Sequence, residues 1–325
     1  MLQPDIKKRE VKIMDMMIQV LLLVLGFAML VKGADWFVDG AAGVADRLGV
    51  PQLVIGLTIV AMGTSAPEAA VSLTAALKGN ADITIGNVVG SNILNILIIL
   101  GIVSVIIATP VAKSIIRIDL PFMLGISFVL LFLGYTGNKV TQIESLVLLT
   151  LFVGYLGYLF VTAKKTGTVE ETSSIVEKPM WQLVVIAVIG LVLIVLGSDF
   201  TVDAATKIAT EFGMGTRFIG LTIVALGTSL PELFTSVAAA LKGKSDIAIG
   251  NIVGSNIFNI LFIVGLSAVI TPVYFASNFV IDTLVAVAAG VILWLATFKS
   301  GKLTRPVGII MLLAYGGYFA YLLLG

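Results

Sequence analysis

The chain has 325 residues, 58% hydrophobic and only 12% charged, whereas soluble domains carry charge on about a quarter of their residues. A net charge of +1 gives no long-range field for nucleic acid or a polyacidic partner, and cysteine and histidine are both absent. Disulfides, thiolate metal sites and imidazole ligands or proton relays are thereby excluded, so an ion site here has to be built from oxygen.

In chain order, residues 1–16 form a polar, basic amino-terminal tail. The apolar run after them has no small-residue cleavage site and is followed by further apolar segments, so it reads as a first transmembrane helix and not a signal peptide. Five spans are predicted at roughly 14–44, 50–77, 82–107, 118–136 and 141–162. A polar stretch, AKKTGTVEETSSIVEKP, then forms a linker, and five more spans follow at roughly 181–209, 216–241, 246–270, 277–297 and 304–324. The domain plan is a tail at 1–16, a first five-helix repeat at 17–162, a linker at 163–180 and a second repeat at 181–325.

An internal repeat organises this plan. A shift of 164 positions, from Glu68 to Glu232, lays GLTIVAMGTSAPE on GLTIVALGTSLPE. The same shift lays ADITIGNVVGSNILNILIILG on SDIAIGNIVGSNIFNILFIVG, and GADWFVDGA on GSDFTVDAA. Because five is odd, the second repeat enters the membrane from the opposite side. The expected fold is therefore an all-α integral membrane protein, with ten transmembrane helices in two inverted-topology repeats of five. Eleven basic residues on the linker's face against eight on the other place the linker in the cytoplasm and both termini outside, in a multi-pass cell-membrane protein.

A carboxylate at membrane depth costs about 2.5–3.5 kcal/mol or more, so Glu68 and Glu232 need a partner. The spans carry no central lysine or arginine; Lys32 lies toward the end of the first. A bound cation is the natural partner. Pro67 and Pro231 each remove a backbone donor beside the glutamate and crowd the carbonyls of Gly63 and Gly227. The helices should break there and free carbonyls near Ala61, Thr64, Ala225 and Thr228. In the second motif, Ser91 with Asn95, and Ser255 with Asn259, share a helix face at a spacing of four. Two bidentate carboxylates and two carbonyls supply six oxygens, a number that suits calcium, and sodium would share the same cage. Asp82 and Asp246 read as helix N-caps. Asp35, Asp39, Asp199 and Asp203 recur near helix ends and read as interfacial. No nucleophile with an adjacent base is visible, so an enzyme is not expected.

These paired motifs, GTS-x-PE followed by GN-x-x-GSN-x-x-N, resemble the alpha repeats of the sodium/calcium exchanger family, and the resemblance covers nearly the whole chain. It implies a central site between helices two, three, seven and eight, with helices one and six sliding across the rest. By motif position it implies Glu68, Glu232, Thr64 and Thr228 as calcium ligands, the threonines through their carbonyls. Ala61, Ser65, Ser91, Ala225, Ser229 and Ser255 would form sodium sites, and Asn95 and Asn259 would line the middle. The implied activity is sodium/calcium antiport, with calcium/proton or other divalent exchange as the alternative. No cofactor, nucleic acid or obligate protein partner is expected, only lipid and the transported Ca2+ and Na+. No regulatory insert separates the repeats.

Overall fold

The structure, a computed structural model, describes residues 3–165, 178–214, 223 and 225–324. Most of the predicted linker and the start of the seventh predicted span, with Arg217, lie outside the described residues. The chain folds as helices α1 (Gln3–Leu48), α2 (Gln52–Thr64), α3 (Ala66–Leu77), α4 (82–106), α5 (Ile115–Gly137) and α6 (Gln142–Lys165). The second half contributes α7 (Met180–Glu211), α8 (Ala225–Thr228), α9 (Leu230–Leu241), α10 (Ser245–Ile270), α11 (Asn278–Ser300) and α12 (Arg305–Leu324). Among the described residues, eight helices are long and apolar enough to cross a membrane, or nine if the bent pair α2–α3 is one span. The amino-terminal tail is helical from Gln3, continuous with the first span.

Burial orders the bundle. Within the most apolar stretches of α10 and α4, 83% and 72% of residues are buried, against 11% in α12. The two helices carrying the asparagine motif are thus the centre, and the apolar faces of the peripheral helices are left for lipid. They cross on each other through reciprocal bonds: Asn92 Nδ2 donates to the carbonyl of Asn256 and Asn256 Nδ2 to that of Asn92, each at 3.3 Å. Both helices widen to π geometry at matching places, Asn95–Leu100 and Asn259–Val264.

The exchange of halves extends outward. Strand β1 (Thr109–Pro110) pairs with β4 (Lys302–Leu303), and β2 (Lys139–Val140) with β3 (Val273–Tyr274). Each half also closes its last two helices with an aspartate–tyrosine clasp: Tyr155 Oη donates to Asp119 at 2.9 Å and Tyr318 Oη to Asp282 at 2.8 Å. Helices α1 and α7 run antiparallel in close contact. A Cβ on Gly33 would lie 2.8 Å from the carbonyl of Gly190, and one on Gly190 would lie 2.7 Å from that of Gly33. Only glycine permits that approach of two backbones.

Asp246 does not cap α10, contrary to expectation. The N-cap is Lys244, with Asp246 inside the first turn, where a negative charge complements the helix dipole without a capping bond. The side chain of Asp82 lies outside those described.

Candidate functional site

The predicted helix break is present in the first half and lies at Ser65. α2 and α3 meet at 50°, and Ser65 sits between them at φ −81° and ψ 11°, with Pro67 in the first turn of α3. Just before it, Gly56–Val60 is π-helical, a form often found at functional sites. In the second half Ser229 holds the equivalent place at φ −90° and ψ 4°, between α8 and α9. Proline at the first turn costs nothing there, because that N–H would have had no partner.

These breaks aim both glutamates inward. Glu68 and Glu232 are each 1% exposed, and among the described residues no lysine or arginine pairs with either. Each is instead met by hydroxyls, some from the opposite half. Ser65 Oγ donates to Glu232 Oε1 at 2.7 Å; Ser229 Oγ at 3.4 Å and Ser91 Oγ at 3.5 Å face Glu68 Oε1. Asn87 holds the backbone of Glu68 (3.0 Å) and Ser72 Oγ (2.8 Å), and Asn251 does the same for Glu232 (3.4 Å) and Ser236 (3.0 Å).

The amides of the middle are oriented by their own network. Asn95 Nδ2 donates to Asn256 Oδ1 at 2.9 Å and Asn259 Nδ2 to Asn92 Oδ1 at 3.0 Å. Once both NH2 groups are so engaged, Asn95 Oδ1 and Asn259 Oδ1 have no donor among the described residues, and neither do Glu68 Oε2 and Glu232 Oε2. Four buried acceptor oxygens, two of them on carboxylates, are thus unsatisfied, each at a cost of about 1–3 kcal/mol or more for the charged groups. Such a donor set suits a hard cation, which takes oxygen ligands.

The structure brings Thr64, Ser65, Glu68, Ser91, Asn95, Ser229, Glu232, Ser255 and Asn259 together as buried polar groups. Thr228 ends α8 beside them in sequence; the side chain of Ala225 lies outside those described. The carbonyl of Ala61 is not free as expected. It accepts from Ser65 N (3.0 Å), Ser255 Oγ (3.3 Å) and Thr64 Oγ1 (3.3 Å), and the last two donors are hydroxyls that can rotate away. Sequence reasoning passed over Asn87, Asn92, Asn251 and Asn256, although all four recur within the repeated GN-x-x-GSN motif.

A helical bundle with its carboxylates buried at the crossing of two duplicated halves defines a multi-pass membrane transporter, not an enzyme. The sequence pattern described as "Sodium/calcium exchanger protein" matches residues 18–161 and 182–324, and the chain belongs to that family. It is 39% identical to CaxA of Alkalimonas amylolytica over 316 residues, covering 93% of this chain and 98% of that one. It is 32% identical to the sodium/calcium exchanger MaX1 of Methanosarcina acetivorans over 343 residues, with coverages of 93% and 97%. Among solved structures, the sodium-calcium exchanger NCX_Mj superposes with a TM-score of 0.82 at 31% identity, covering 94% of this chain and 99% of that one.

Proposed function

We propose that this chain exchanges sodium for calcium across the cell membrane by alternating access, through one oxygen-lined site shared by the two halves. The observation that carries this reading is a set of four buried oxygens without a donor among the described residues, Glu68 Oε2, Glu232 Oε2, Asn95 Oδ1 and Asn259 Oδ1. Two carboxylates match the charge of calcium, and the carbonyls of Thr64 and Thr228 bring the oxygen count toward the six to eight that calcium takes. Sodium occupies the flanking positions at Ala61, Ser65, Ser91, Ala225, Ser229 and Ser255, sharing the carboxylates. Shared ligands make the two ions compete, and competition for one site is what couples their opposite movements.

The same reading has ten spans in inverted repeats, a cytoplasmic linker and both termini outside. Two features support it. The equivalent helices α1 and α7 run antiparallel, as inverted repeats require, and one family pattern matches each half. The test is calcium uptake into proteoliposomes loaded with sodium. Uptake driven by the outward sodium gradient is expected; uptake indifferent to sodium but driven by an outward proton gradient would replace this reading with calcium/proton antiport.

A further inference from the structure

The two halves bury the same site but do not hold α1 and α7 in the same way. α1 is fastened to the second half by Lys242, at the end of α9, whose Nζ lies 2.6 Å from Asp35 Oδ1 and 2.7 Å from Asp39 Oδ1 and donates to the Asp35 carbonyl at 2.9 Å. Partial burial works against this ammonium, but its hydrogen bonds to Asp35 and Asp39 outweigh that and raise its pKa above the ordinary lysine value. Higher on the same contact, Phe27 of α1 meets Phe234 of α9 at 6.1 Å.

The repeat supplies a second copy of every charged member of this contact. A shift of 164 positions carries Asp35 and Asp39 to Asp199 and Asp203 on α7, and Lys78 at the end of α3 to Lys242. Here that second contact is open: Lys78, Asp199 and Asp203 are exposed, and among the described residues no ion pair joins them. A groove of about 550 Å³ runs along α3, lined by Ala70, Val71, Thr74, Lys78 and Ile83 among others. Val71 is 42% exposed, whereas its counterpart Thr235, on the side where α1 is fastened, is 0% exposed.

We infer that Lys242 and Lys78 form an alternating ion latch: Lys242 holds Asp35 and Asp39 in the arrangement seen here, and Lys78 takes Asp199 and Asp203 when the pair α1–α7 shifts the other way. This rests on the alternating-access reading and assigns residues that set the balance between its two arrangements. α1 and α7 move as one piece because their backbones touch at Gly33 and Gly190, so releasing one latch and closing the other is a single displacement. A partly exposed ion pair shifts an equilibrium modestly, and only because it exists in one arrangement and not the other.

The natural absence of cysteine allows a direct test on the full-length chain in liposomes. Two double variants are compared, Lys242→Cys with Asp39→Cys, and Lys78→Cys with Asp203→Cys. Because a lysine side chain reaches farther than a disulfide spans, each pair is expected to be bridged by a short bis-methanethiosulfonate, and each bridge to block flux until reduced. If the first pair cross-links and the second does not under any ion condition, the alternating latch is wrong. A second measurement needs no cross-link: a single cysteine at Thr74, on the open groove, is labelled with a membrane-impermeant maleimide. Lys242→Met should slow labelling about two- to fivefold and Lys78→Met should not, with arginine at position 242 restoring the rate; equal rates in all variants would overturn the proposal. Neither readout depends on which ion is exchanged. Failure of sodium-driven uptake by the unsubstituted protein, while both variants still cross-link, would therefore count against the sodium reading and not against the latch.

Discussion

The first and second halves present nearly the same groups to the site and different surfaces to α1 and α7. Asn87 and Asn251 brace their glutamates with the same pair of bonds, and Asn92 and Asn256 exchange identical ones. The hydroxyls of the two breaks are unequal: Ser65 meets Glu232 at 2.7 Å, whereas Ser229 stands 3.4 Å from Glu68. α9 is covered along the face where α3 is open. The duplicated parts are therefore a shared frame of asparagines and a set of hydroxyl and surface contacts that differ between the halves. On the alternating-access reading both are needed, since a frame that changed with each arrangement would destroy the site it carries.

The strongest way to break this comparison is at the glutamates. Glu68→Gln and Glu232→Gln are each expected to reduce calcium flux by about 100-fold or more, because one charge of a desolvated cage is lost. Calcium exchange retained in either variant would sink the two-carboxylate site, and a large difference between them would show that the halves do not contribute equally. Asn259→Ala removes a neutral acceptor and should weaken calcium only about tenfold, near 1.4 kcal/mol, measured as apparent affinity in the same flux assay.

A second break falls on the frame. Asn92→Ala and Asn256→Ala each remove a donor to the facing backbone and strip the amide bonded to Asn259 or Asn95, costing about 1–3 kcal/mol. Because the bonds are reciprocal, the two variants should lose thermal stability in detergent to the same degree. Unequal losses would mean that the crossing of α4 and α10 is not the shared centre proposed for it.

Much of this was legible before any coordinates. The 164-residue repeat, the buried glutamates, the break at Ser65 and the serine–asparagine face follow from composition, proline chemistry and helical spacing. The latch was not legible. Asp35 and Asp39 are one turn apart in a long helix, but their partner, Lys242, is more than two hundred residues away, and its tie depends on which of two packings is adopted. The Asp119–Tyr155 and Asp282–Tyr318 clasps escaped for a related reason: each joins two helices through side chains 36 residues apart, with no local pattern to mark the pair. Asn92 and Asn256 stood inside the quoted motif but were passed over, since spacing alone cannot tell an asparagine that faces its twin from one that faces lipid.

A finer asymmetry lies at the breaks. Ser198 Oγ donates to the carbonyl of Gly227 at 2.7 Å, four residues before Pro231, and the residue in the equivalent place of the first half is Ala34, which has no hydroxyl. Ser198→Ala should cost about 1 kcal/mol in thermal stability and alter cation affinity through the second break alone. An effect as large as that of the asparagine variants would show that this carbonyl belongs to the frame.

The smallest expected effect separates position from charge. Lys32 also pairs with Asp35, at 3.6 Å, and lies 5.5 Å from the centre of the Trp36 ring. Both partners are on α1, so the pair travels with the helix and is made wherever α1 sits. An interaction equal in two arrangements shifts nothing between them, however strong it is. Lys32→Ala should therefore change stability by no more than about 0.5 kcal/mol and leave the maleimide labelling of a cysteine at Thr74 at its original rate. A slowing like that expected for Lys242→Met would mean that the net charge around Asp35, and not the tie between α1 and α9, sets the balance.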